Sequence, residues 1–337
     1  MIGKIIVTGG AGFIGSHICA ELLSKGFKPV VIDDLRSSSK KNIQVLLNQF
    51  GDNISFYECS CQNRGALEAM MAIEKHIDGI IHLAALKSIP ESQLEPTRYY
   101  ENNLGSLNSI IDFAMDYGIE RFIFSSSCAV YGSSINGEVN ENTVCTDLLN
   151  PYALTKSIGE TILRLAAKSG RRLSAISLRY FNPIGCHPMV MIGEEISAQS
   201  LNLVPMMLKT ALGNNTQLEV FGYDLNTPDG SCVRDFIHVC DVASAHVHAL
   251  HHSTVSGYET YNIGTGRGTS VFEMIQKFES ITGKSLPLRK TKARELEILE
   301  IYANVNKAST VLDWEAQYSV DEALKHVWTR ETGGVKA

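Results

Sequence analysis

The sequence lacks the features that mark membrane, secreted and nucleic-acid-binding proteins. No apolar run among its 337 residues approaches the roughly 20 that cross a membrane, and its start shows no signal-peptide pattern. The net charge of -6 and the pI of about 5.9, without any basic block, argue against a nucleic-acid surface. The eight cysteines are scattered, and none belongs to a zinc pattern or a C-x-x-C redox pair. These absences predict a cytoplasmic protein with reduced thiols.

One histidine-rich stretch has a spacing that a metal could use. His248 and His252 lie four residues apart on a helix predicted over residues 239–252, and such a pair can hold zinc. Neither a nearby cysteine nor the glutamate of an H-E-x-x-H pattern accompanies the pair. We therefore expect a helix packed on the sheet and no metal site.

A glycine-rich turn near the start of the chain points to a dinucleotide. Residues 4–8 form a short β-branched strand, and Gly9, Gly12 and Gly15 separate it from a helix predicted over residues 16–25. Such glycines allow a tight turn and the close approach of a pyrophosphate to the helix N-terminus. The next strand ends in Asp33, where a carboxylate can accept hydrogen bonds from the adenosine ribose. The acid favours NAD over NADP, while the nearby Arg36 leaves NADP open.

A second stretch, residues 121–156, carries the candidate chemistry. Its strand ends in serines up to Ser127, and Pro151 marks a helix start, since proline is tolerated at the first helical position. Tyr152 and Lys156 then share one face of that helix. A lysine ammonium favours the ionised form of the tyrosine, whose ordinary pKa of about 10 is too high for a base at neutral pH. The three side chains predict a proton-handling site beside a redox cofactor.

The order of strand-like and helix-like segments predicts the fold class. Their regular alternation, with apolar strands, is typical of an α/β protein with a Rossmann-type, doubly wound parallel sheet. We assign residues 1–180 to an NAD-binding domain, to which residues 239–264 return. Residues 181–238 and 265–337 form a smaller, mixed α/β domain that binds the substrate.

Longer motifs narrow the function. They are Val7-Thr-Gly-Gly-Ala-Gly-Phe-Ile-Gly-Ser-His17, Ile81-His-Leu-Ala-Ala-Leu-Lys87, Tyr99-Tyr-Glu-Asn102-Asn, Phe124-Ser-Ser-Ser127, Pro151-Tyr152-x-x-x-Lys156, Leu178-Arg-Tyr-Phe-Asn182-Pro and Asp229-Gly-x-x-Val-Arg234-Asp-Phe-Ile-His238. With them the chain resembles the UDP-glucose (UDP-galactose) 4-epimerase family of extended short-chain dehydrogenase/reductases, from Lys4 to about Trp328. The glycine turn and Y-x-x-x-K mark only the superfamily, whereas the serine, Arg-Tyr-Phe-Asn-Pro and Val-Arg-Asp-Phe-Ile-His runs are similar to those of nucleotide-sugar epimerases.

The resemblance implies an isomerase that inverts C4 of a UDP-hexose. The sugar pair would be UDP-glucose and UDP-galactose, their N-acetyl counterparts, or both, with a transient 4-ketone and tightly bound NAD that is not consumed. Tyr152, helped by Ser127, would take the proton of the 4-hydroxyl, and Lys156 would hold the nicotinamide ribose and lower the pKa of Tyr152. The resemblance also implies a homodimer through a four-helix interface, formed by residues 97–117 and 152–168 of each subunit.

The same resemblance assigns further residues to the two ligands. For NAD it implies Gly9, Gly12, Phe13, Ile14, Gly15, Asp33, Asp34, Leu35, Arg36, Ser37, Ser38, Ser60, Cys61, Leu83, Ala84, Ala85, Leu86, Lys87, Asn102, Ser125, Tyr152, Lys156 and Phe181. For the UDP-sugar it implies Ser127, Tyr152, Asn182, Asn202, Leu203, Glu219, Val220, Phe221, Arg234, Arg294, Glu297 and Ile301. Arg234 and Arg294 would bind the diphosphate, because a planar guanidinium matches phosphate oxygens.

Several positions depart from the family pattern. Ser60 stands where an acid meets the adenine ring, Glu297 where an aspartate would hold the ribose, and Leu201 replaces one residue of an asparagine pair. Residues 193–200 also differ. Ile301 aligns with the position that often decides whether an N-acetyl group fits. These departures bear on the choice of sugar more than on the reaction.

Two other interpretations stay open. One is another nucleotide-sugar enzyme of the same superfamily, namely a UDP-uronate epimerase, a dehydratase or a decarboxylase. A dehydratase needs an acid pair beside the serine, whereas Cys128 and Ala129 follow Ser127 here. The other is a non-catalytic dinucleotide sensor, which has no need of a tyrosine, a lysine and a serine set together.

Overall fold

Alternating strands and helices build the fold, as the sequence pattern predicts. The computed structural model describes residues 3–133, 135–145, 147–148, 150–170, 172–196, 201–253, 257–294 and 297–333. Its strands are β1 (Lys4–Thr8), β2 (Lys28–Asp33), β3 (Ser55–Glu58), β4 (Gly79–His82), β5 (Arg121–Ser127), β6 (Gly137–Val139), β7 (Ser174–Tyr180), β8 (Asn182–Ile184), β9 (Leu218–Phe221), β10 (Val233–Arg234), β11 (Phe236–His238), β12 (Gly257–Ile263), β13 (Thr269–Ser270), β14 (Leu288–Thr291) and β15 (Glu300–Ala303). Its helices are α1 (Phe13–Ser24), α2 (Lys40–Phe50), α3 (Arg64–Glu74), α4 (Ile89–Leu94), α5 (Pro96–Asp116), α6 (Pro151–Ala166), α7 (Leu203–Ala211), α8 (Val239–His252), α9 (Val271–Thr282), α10 (Asn306–Leu312) and α11 (Val320–Glu331).

A parallel sheet with the strand order β12-β7-β5-β4-β1-β2-β3 forms the centre of the fold. Its inner strands are rich in apolar and β-branched residues because helices cover both faces. The chain winds away from β1 in both directions, through β2 on one side and β4 on the other. This reversal opens a crevice beyond the carboxyl ends of β1 and β4. The predicted doubly wound α/β fold is confirmed.

Helices α1, α2 and α4 differ from the sequence prediction, and α4 is a short helix between β4 and α5 that was not predicted. Helix α1 begins at Phe13, three residues earlier than expected, because the glycine turn leads directly into its first turn. Helix α2 was not predicted, although five of its eleven residues are apolar. The side chain of Ser39 caps it by accepting a hydrogen bond from the backbone of Lys41, and Ile43 and Leu46 attach it to the core.

The chain returns to the central sheet after leaving it at Tyr180. Helix α8 packs on α1, and β12 pairs in parallel with β7. Two histidines of α8 help to pack this helix into the fold. His248 Nδ1 lies 3.0 Å from the carbonyl oxygen of Leu312 at the end of α10, and His246 is buried. Within the described ranges, no helix is long and apolar enough to cross a bilayer.

A separate apolar cluster supports the remaining elements. Helices α7, α9 and α11 pack around β9 and β11 through residues such as Met207, Phe278 and Trp328. Short sheets, β13-β10-β15-β6, β11-β8 and β14-β9, complete this part of the chain. Strand β8 follows directly after β7 in the chain and pairs with β11. This connection brings β9, β10 and α7 over the carboxyl end of the central sheet.

Candidate active site

The turn between β1 and α1 can be built only with glycine at two points. Gly9 has a φ of 70°, which favours glycine. A Cβ at Gly15 would lie 2.3 Å from the carbonyl oxygen of Gly9, so the helix can approach the turn only without a side chain there. At Gly12, by contrast, the nearest described atom to an added Cβ is the Gly9 oxygen at 3.3 Å, and Gly12 lines an open cleft. The first N–H groups of α1 and its positive dipole end meet this cleft, which fits a pyrophosphate.

Asp33 is fixed at the end of β2. Its carboxylate is 8% exposed and accepts hydrogen bonds from the backbone of Ala11 and Leu35 and from Ser38 Oγ, over 3.0, 2.9 and 2.8 Å. A carboxylate has lone pairs beyond these three bonds, and Asp33 lines the cleft, so it can also accept from ribose hydroxyls. The residues present therefore fit a dinucleotide.

Arg36 is already engaged by neighbouring side chains. Its guanidinium pairs with Asp34 over 3.2 Å and donates to Asn102 Oδ1 over 2.7 Å. A 2′-phosphate would have to compete with Asp34 for this arginine and would face Asp33 as well. The arrangement supports NAD over NADP.

The predicted catalytic side chains lie at the carboxyl end of β5. Asn150 caps α6 by accepting from the backbone of Ala153 over 2.8 Å, so the helix begins at Pro151 as predicted. Lys156 is 4% exposed, and its Nζ donates to the carbonyl of Ser125 over 2.6 Å. That nitrogen lies 5.9 Å from the ring centroid of Tyr152. The structure brings the tyrosine and the lysine together with the serine end of the strand.

The ionisation of Tyr152 differs from the sequence expectation. Burial raises the pKa of Tyr152 to about 12, against the effect of a hydrogen bond with Ser127, which lowers it. Burial also lowers the pKa of Lys156 to about 7, partly offset by Glu160. The protein surroundings alone therefore disfavour the tyrosinate, because the loss of solvation outweighs the favourable contacts.

Two adjoining clefts meet at Tyr152. They enclose about 1040 and 1720 Å³ of space that opens to solvent, enough for a dinucleotide beside a second nucleotide. The residues that line both clefts are Phe13, Ile14, Lys87, Tyr152 and Tyr180. Ligands in the two clefts would therefore share these five residues as neighbours.

The first cleft gathers the residues assigned to NAD with two exceptions. Phe181 lines the second cleft, and Leu35 packs against the core instead. The second cleft gathers the residues assigned to the sugar nucleotide except Ile301. That side chain is 2% exposed and packs in a small apolar cluster with Tyr131 and Phe181, because the alternation of β15 turns it inward.

Two arginines line the second cleft. Arg234 pairs with Glu297 over 2.8 Å, and its other nitrogen donates to the carbonyl of Val233 over 2.9 Å. The guanidinium of Arg294 lies 4.1 Å from the ring centroid of Phe221. The cleft is also lined by Lys87 and by the carboxylates of Glu194, Glu219 and Glu297, so its formal charges balance, and the two guanidinium groups offer local donors for an anionic ligand. Of the divergent segment 193–200, residues 197–200 lie outside the described residues.

Several lining residues were not predicted. In the first cleft they are Ile32, Cys59, Ser106 and Tyr180. In the second they are Pro183, Ile184, Glu194, Val204, Pro205, Met206, Leu218, Cys232, Phe236 and Val271, besides the shared residues and Leu201. The most informative is Tyr180, whose hydroxyl hydrogen-bonds Ser125 Oγ. The signal available in the sequence was its place directly after the strand predicted over residues 174–179.

Comparisons with known proteins agree with this geometry. The model of the NAD dependent epimerase/dehydratase family matches residues 5–264. The chain is 40% identical over 332 residues to the UDP-glucose 4-epimerase of Bacillus subtilis (strain 168), covering 98% of this chain and 97% of that protein.

Solved structures show the same likeness. One is the UDP-glucose-4-epimerase from Stenotrophomonas maltophila with bound NAD and formylated UDP-arabinopyranose, with a TM-score of 0.94, 36% identity and 98% of each chain covered. Another is the UDP-Glc/GlcNAc 4-epimerase from Campylobacter jejuni, with a TM-score of 0.84, 31% identity and coverage of 98% of this chain and 99% of that one. The chain belongs to the NAD dependent epimerase/dehydratase family and, within it, to the UDP-glucose 4-epimerases.

Proposed function

We propose that this protein is an NAD-dependent UDP-hexose 4-epimerase that interconverts UDP-glucose and UDP-galactose. The observation that carries the proposal is the position of Tyr152, which lines both the dinucleotide cleft and the second cleft. Its neighbours Lys156 and Ser127 belong to the same corner of the site. Membership of the UDP-glucose 4-epimerases supports the same conclusion.

The side chains divide the proton chemistry among them. Tyr152 accepts the proton of the sugar 4-hydroxyl, and Ser127 passes it between substrate and phenolate. NAD held along the glycine turn, Asp33 and Lys156 would supply reversible hydride chemistry at C4, so that no net oxidation occurs. Lys156 holds the nicotinamide ribose. The positive charges of Lys156 and of the nicotinamide beside Tyr152 would favour the tyrosinate and offset the effect of burial on the pKa of Tyr152.

The second cleft binds the UDP moiety. Arg234 and Arg294 contact the diphosphate, because both guanidinium groups line that cleft. Glu219, Val220 and Phe221 of β9 border the uracil. The remaining contacts are assigned to Asn182, Asn202, Leu203 and Glu297. Glu297 pairs with Arg234 and so orients it toward the ligand.

Removing the charge of Arg234 is expected to weaken substrate binding far more than it slows the chemistry. Charge-assisted hydrogen bonds contribute about 1.5–3 kcal/mol, so Arg234→Gln should raise the KM for UDP-galactose by about 10- to 100-fold, with a smaller change in kcat. Steady-state kinetics measure both. Arg172→Gln, at an exposed arginine that pairs with Glu120 outside both clefts, is the matched control. An unchanged KM for Arg234→Gln would contradict the diphosphate assignment.

The N-acetyl sugars are a second candidate, favoured by the position of Ile301. This residue is buried in β15, in a cluster with Phe181, and is not among the described residues that line the cleft, so it does not itself restrict a bulky 2-substituent. The deciding experiment offers UDP-glucose, UDP-galactose and their N-acetyl forms to purified enzyme, and resolves the products by NMR. Conversion of the first pair supports the proposal, conversion of all four extends it, and conversion of only the N-acetyl pair corrects the sugar.

We propose a cytoplasmic homodimer as the functional form. Helices α5 and α6 pack side by side, and α6 exposes Leu165, which is 63% exposed. Two such helix pairs would form a four-helix interface. All eight cysteines are free, as expected in a reducing compartment. Light scattering of the wild-type protein should give a mass of about twice 37.0 kDa, and Leu165→Glu should shift it toward the monomer.

The domain assignment is part of the same proposal. Residues 1–180 and 239–264 form the NAD-binding part, supported by the pairing of β12 with β7. Residues 181–238 and 265–337 form the part that binds the nucleotide-sugar. The separate apolar cluster around Met207 and Phe278, which lies within these two ranges, supports this division.

A further inference from the structure

Glu160 and Arg179 form a buried ion pair behind the candidate active site. Arg179 donates two hydrogen bonds to Glu160, from Nε to Oε1 over 2.8 Å and from Nη2 to Oε2 over 2.6 Å. Glu160 is 8% and Arg179 is 7% exposed, and neither is among the described residues that line the two clefts. Buried ion pairs contribute little net stability compared with apolar residues of similar volume. The pair therefore suggests a role other than ligand binding or stability alone.

The carboxylate of Glu160 belongs to a row of side chains on α6. Tyr152, Lys156 and Glu160 follow one another at intervals of four residues, so they share one helix face. Lys156 donates to the carbonyl of Ser125 over 2.6 Å, and Ser126 donates from Oγ to Glu160 Oε1 over 2.5 Å. Two consecutive serines of β5 are thereby tied to two consecutive turns of α6.

Arg179 holds the same carboxylate from the neighbouring strand. It lies beside Ser126 in the register of β5 with β7 and beside Asn262 in the register of β7 with β12. Its guanidinium lies 4.9 Å from the ring centroid of Tyr131, whose hydroxyl donates to Asn262 Oδ1 over 2.6 Å. Glu160 is therefore connected to β5, β7, β12 and the turn that follows the serines.

We propose that Glu160 is a positioning residue for the epimerisation, which fixes the serine end of β5 against α6 and keeps a negative charge one helical turn from Lys156. This role rests on the proposed function, because it serves the catalytic tyrosine and lysine. The carboxylate favours the charged form of Lys156. Burial of the lysine acts in the opposite direction and lowers its pKa to about 7.

Among the residues that the structure describes, the other ionisable groups around Lys156 supply no competing negative charge at neutral pH before cofactor binds. They are Tyr152 on α6, His82 on β4, and Tyr180 and Arg179 on β7. In the protein without bound cofactor, burial raises the pKa of both tyrosines and lowers that of His82 to about 3, so these three groups are then neutral at pH 7. Arg179 is a cation already paired with Glu160. Before cofactor binds, Glu160 is therefore the described carboxylate that favours the charged form of Lys156 against the effect of burial.

The variant Glu160→Gln, which keeps the size and removes the charge, tests this role. Lys156 should lose its proton at lower pH, so the alkaline limb of the kcat profile should move down by about one pH unit. The KM for UDP-galactose should change less than about twofold, because Glu160 lines neither cleft. Competitive acetic anhydride labelling across pH, read by mass spectrometry, should show the same shift for Lys156 without any turnover.

Further variants separate charge from geometry. Glu160→Asp keeps the charge, so its alkaline limb should stay in place while kcat falls. The double variant Glu160→Gln/Arg179→Gln removes both charges and leaves no unpaired buried arginine. Its alkaline limb should stay lowered as in Glu160→Gln, because the carboxylate is lost in both variants, and its kcat should also be lowered. Glu68→Gln, at an exposed helix glutamate that pairs with Arg64, should change nothing.

Two results would overturn the proposal. One is a folded Glu160→Gln variant whose alkaline limb and Lys156 labelling both match the wild type. The other is a folded double variant with wild-type kcat. If the wild-type protein converts no UDP-hexose, the proposed function fails, and the labelling of Lys156 still decides whether Glu160 controls its charge.

Discussion

Replacing Tyr152 with phenylalanine is expected to lower kcat for the conversion of UDP-galactose by about 10²- to 10⁴-fold, the usual contribution of a positioned acid–base group. The substitution removes only the hydroxyl that accepts the sugar proton. The phenyl ring is kept, and so is its packing near Lys156 Nζ, which lies 5.9 Å from the ring centroid. The rate of UDP-glucose formation, followed by NMR, measures the effect.

A control variant distinguishes a chemical effect from a general one. Tyr57 lies on β3, outside both clefts, and its hydroxyl donates to Glu74 Oε1 over 3.0 Å. Tyr57→Phe removes this hydroxyl and should leave kcat unchanged. NAD released on denaturation should be the same for both variants and the wild type, because the substitutions leave the glycine turn intact. A Tyr152→Phe enzyme within threefold of wild-type kcat would contradict the assigned role.

Adding a methyl group at Gly15 is expected to disrupt both the fold of the dinucleotide turn and cofactor retention. The new Cβ would lie 2.3 Å from the Gly9 oxygen and 2.7 Å from Gly10 Cα, so α1 would have to move away from the turn. Overpacking of this kind costs about 1–3 kcal/mol, which lowers Tm by several degrees. Thermal unfolding and the amount of NAD per subunit measure the two effects.

Gly12→Ala separates cofactor binding from folding. Its methyl group would meet the Gly9 oxygen at 3.3 Å and otherwise face the cleft, so Tm should fall little while NAD retention falls strongly. Gly65→Ala, at the start of α3, should alter neither, since Asn63 Oδ1 lies 3.8 Å from its added Cβ. A Gly12→Ala protein that keeps NAD as the wild type does would exclude this turn as the pyrophosphate site.

The parts of the site that were predicted from the sequence depend on local signals. The glycine turn, Asp33 at the end of β2 and the proline start of α6 each lie within one strand–turn–helix unit. Their residue types follow from backbone geometry over a few positions. The fold class was equally accessible, because alternating apolar strands and helices admit few topologies.

The parts that were not predicted depend on which distant segments meet. Arg179 reaches Glu160, and Tyr180 reaches Ser125, only because β7 lies beside β5 in a particular register. Ile301 turns away from the cleft through the alternation of β15, which sequence similarity does not reveal. The raised pKa of Tyr152 results from burial by the whole fold.

The most direct test of the account uses UDP-galactose that carries deuterium at C4. Purified enzyme without added cofactor is incubated with this substrate in ordinary water, and NMR records the configuration and the isotope at C4 of the product. The expected product is UDP-glucose that keeps deuterium at C4, since the hydrogen leaves and returns within one active site. UDP-glucose with a solvent proton at C4, or no UDP-glucose at all, would contradict it.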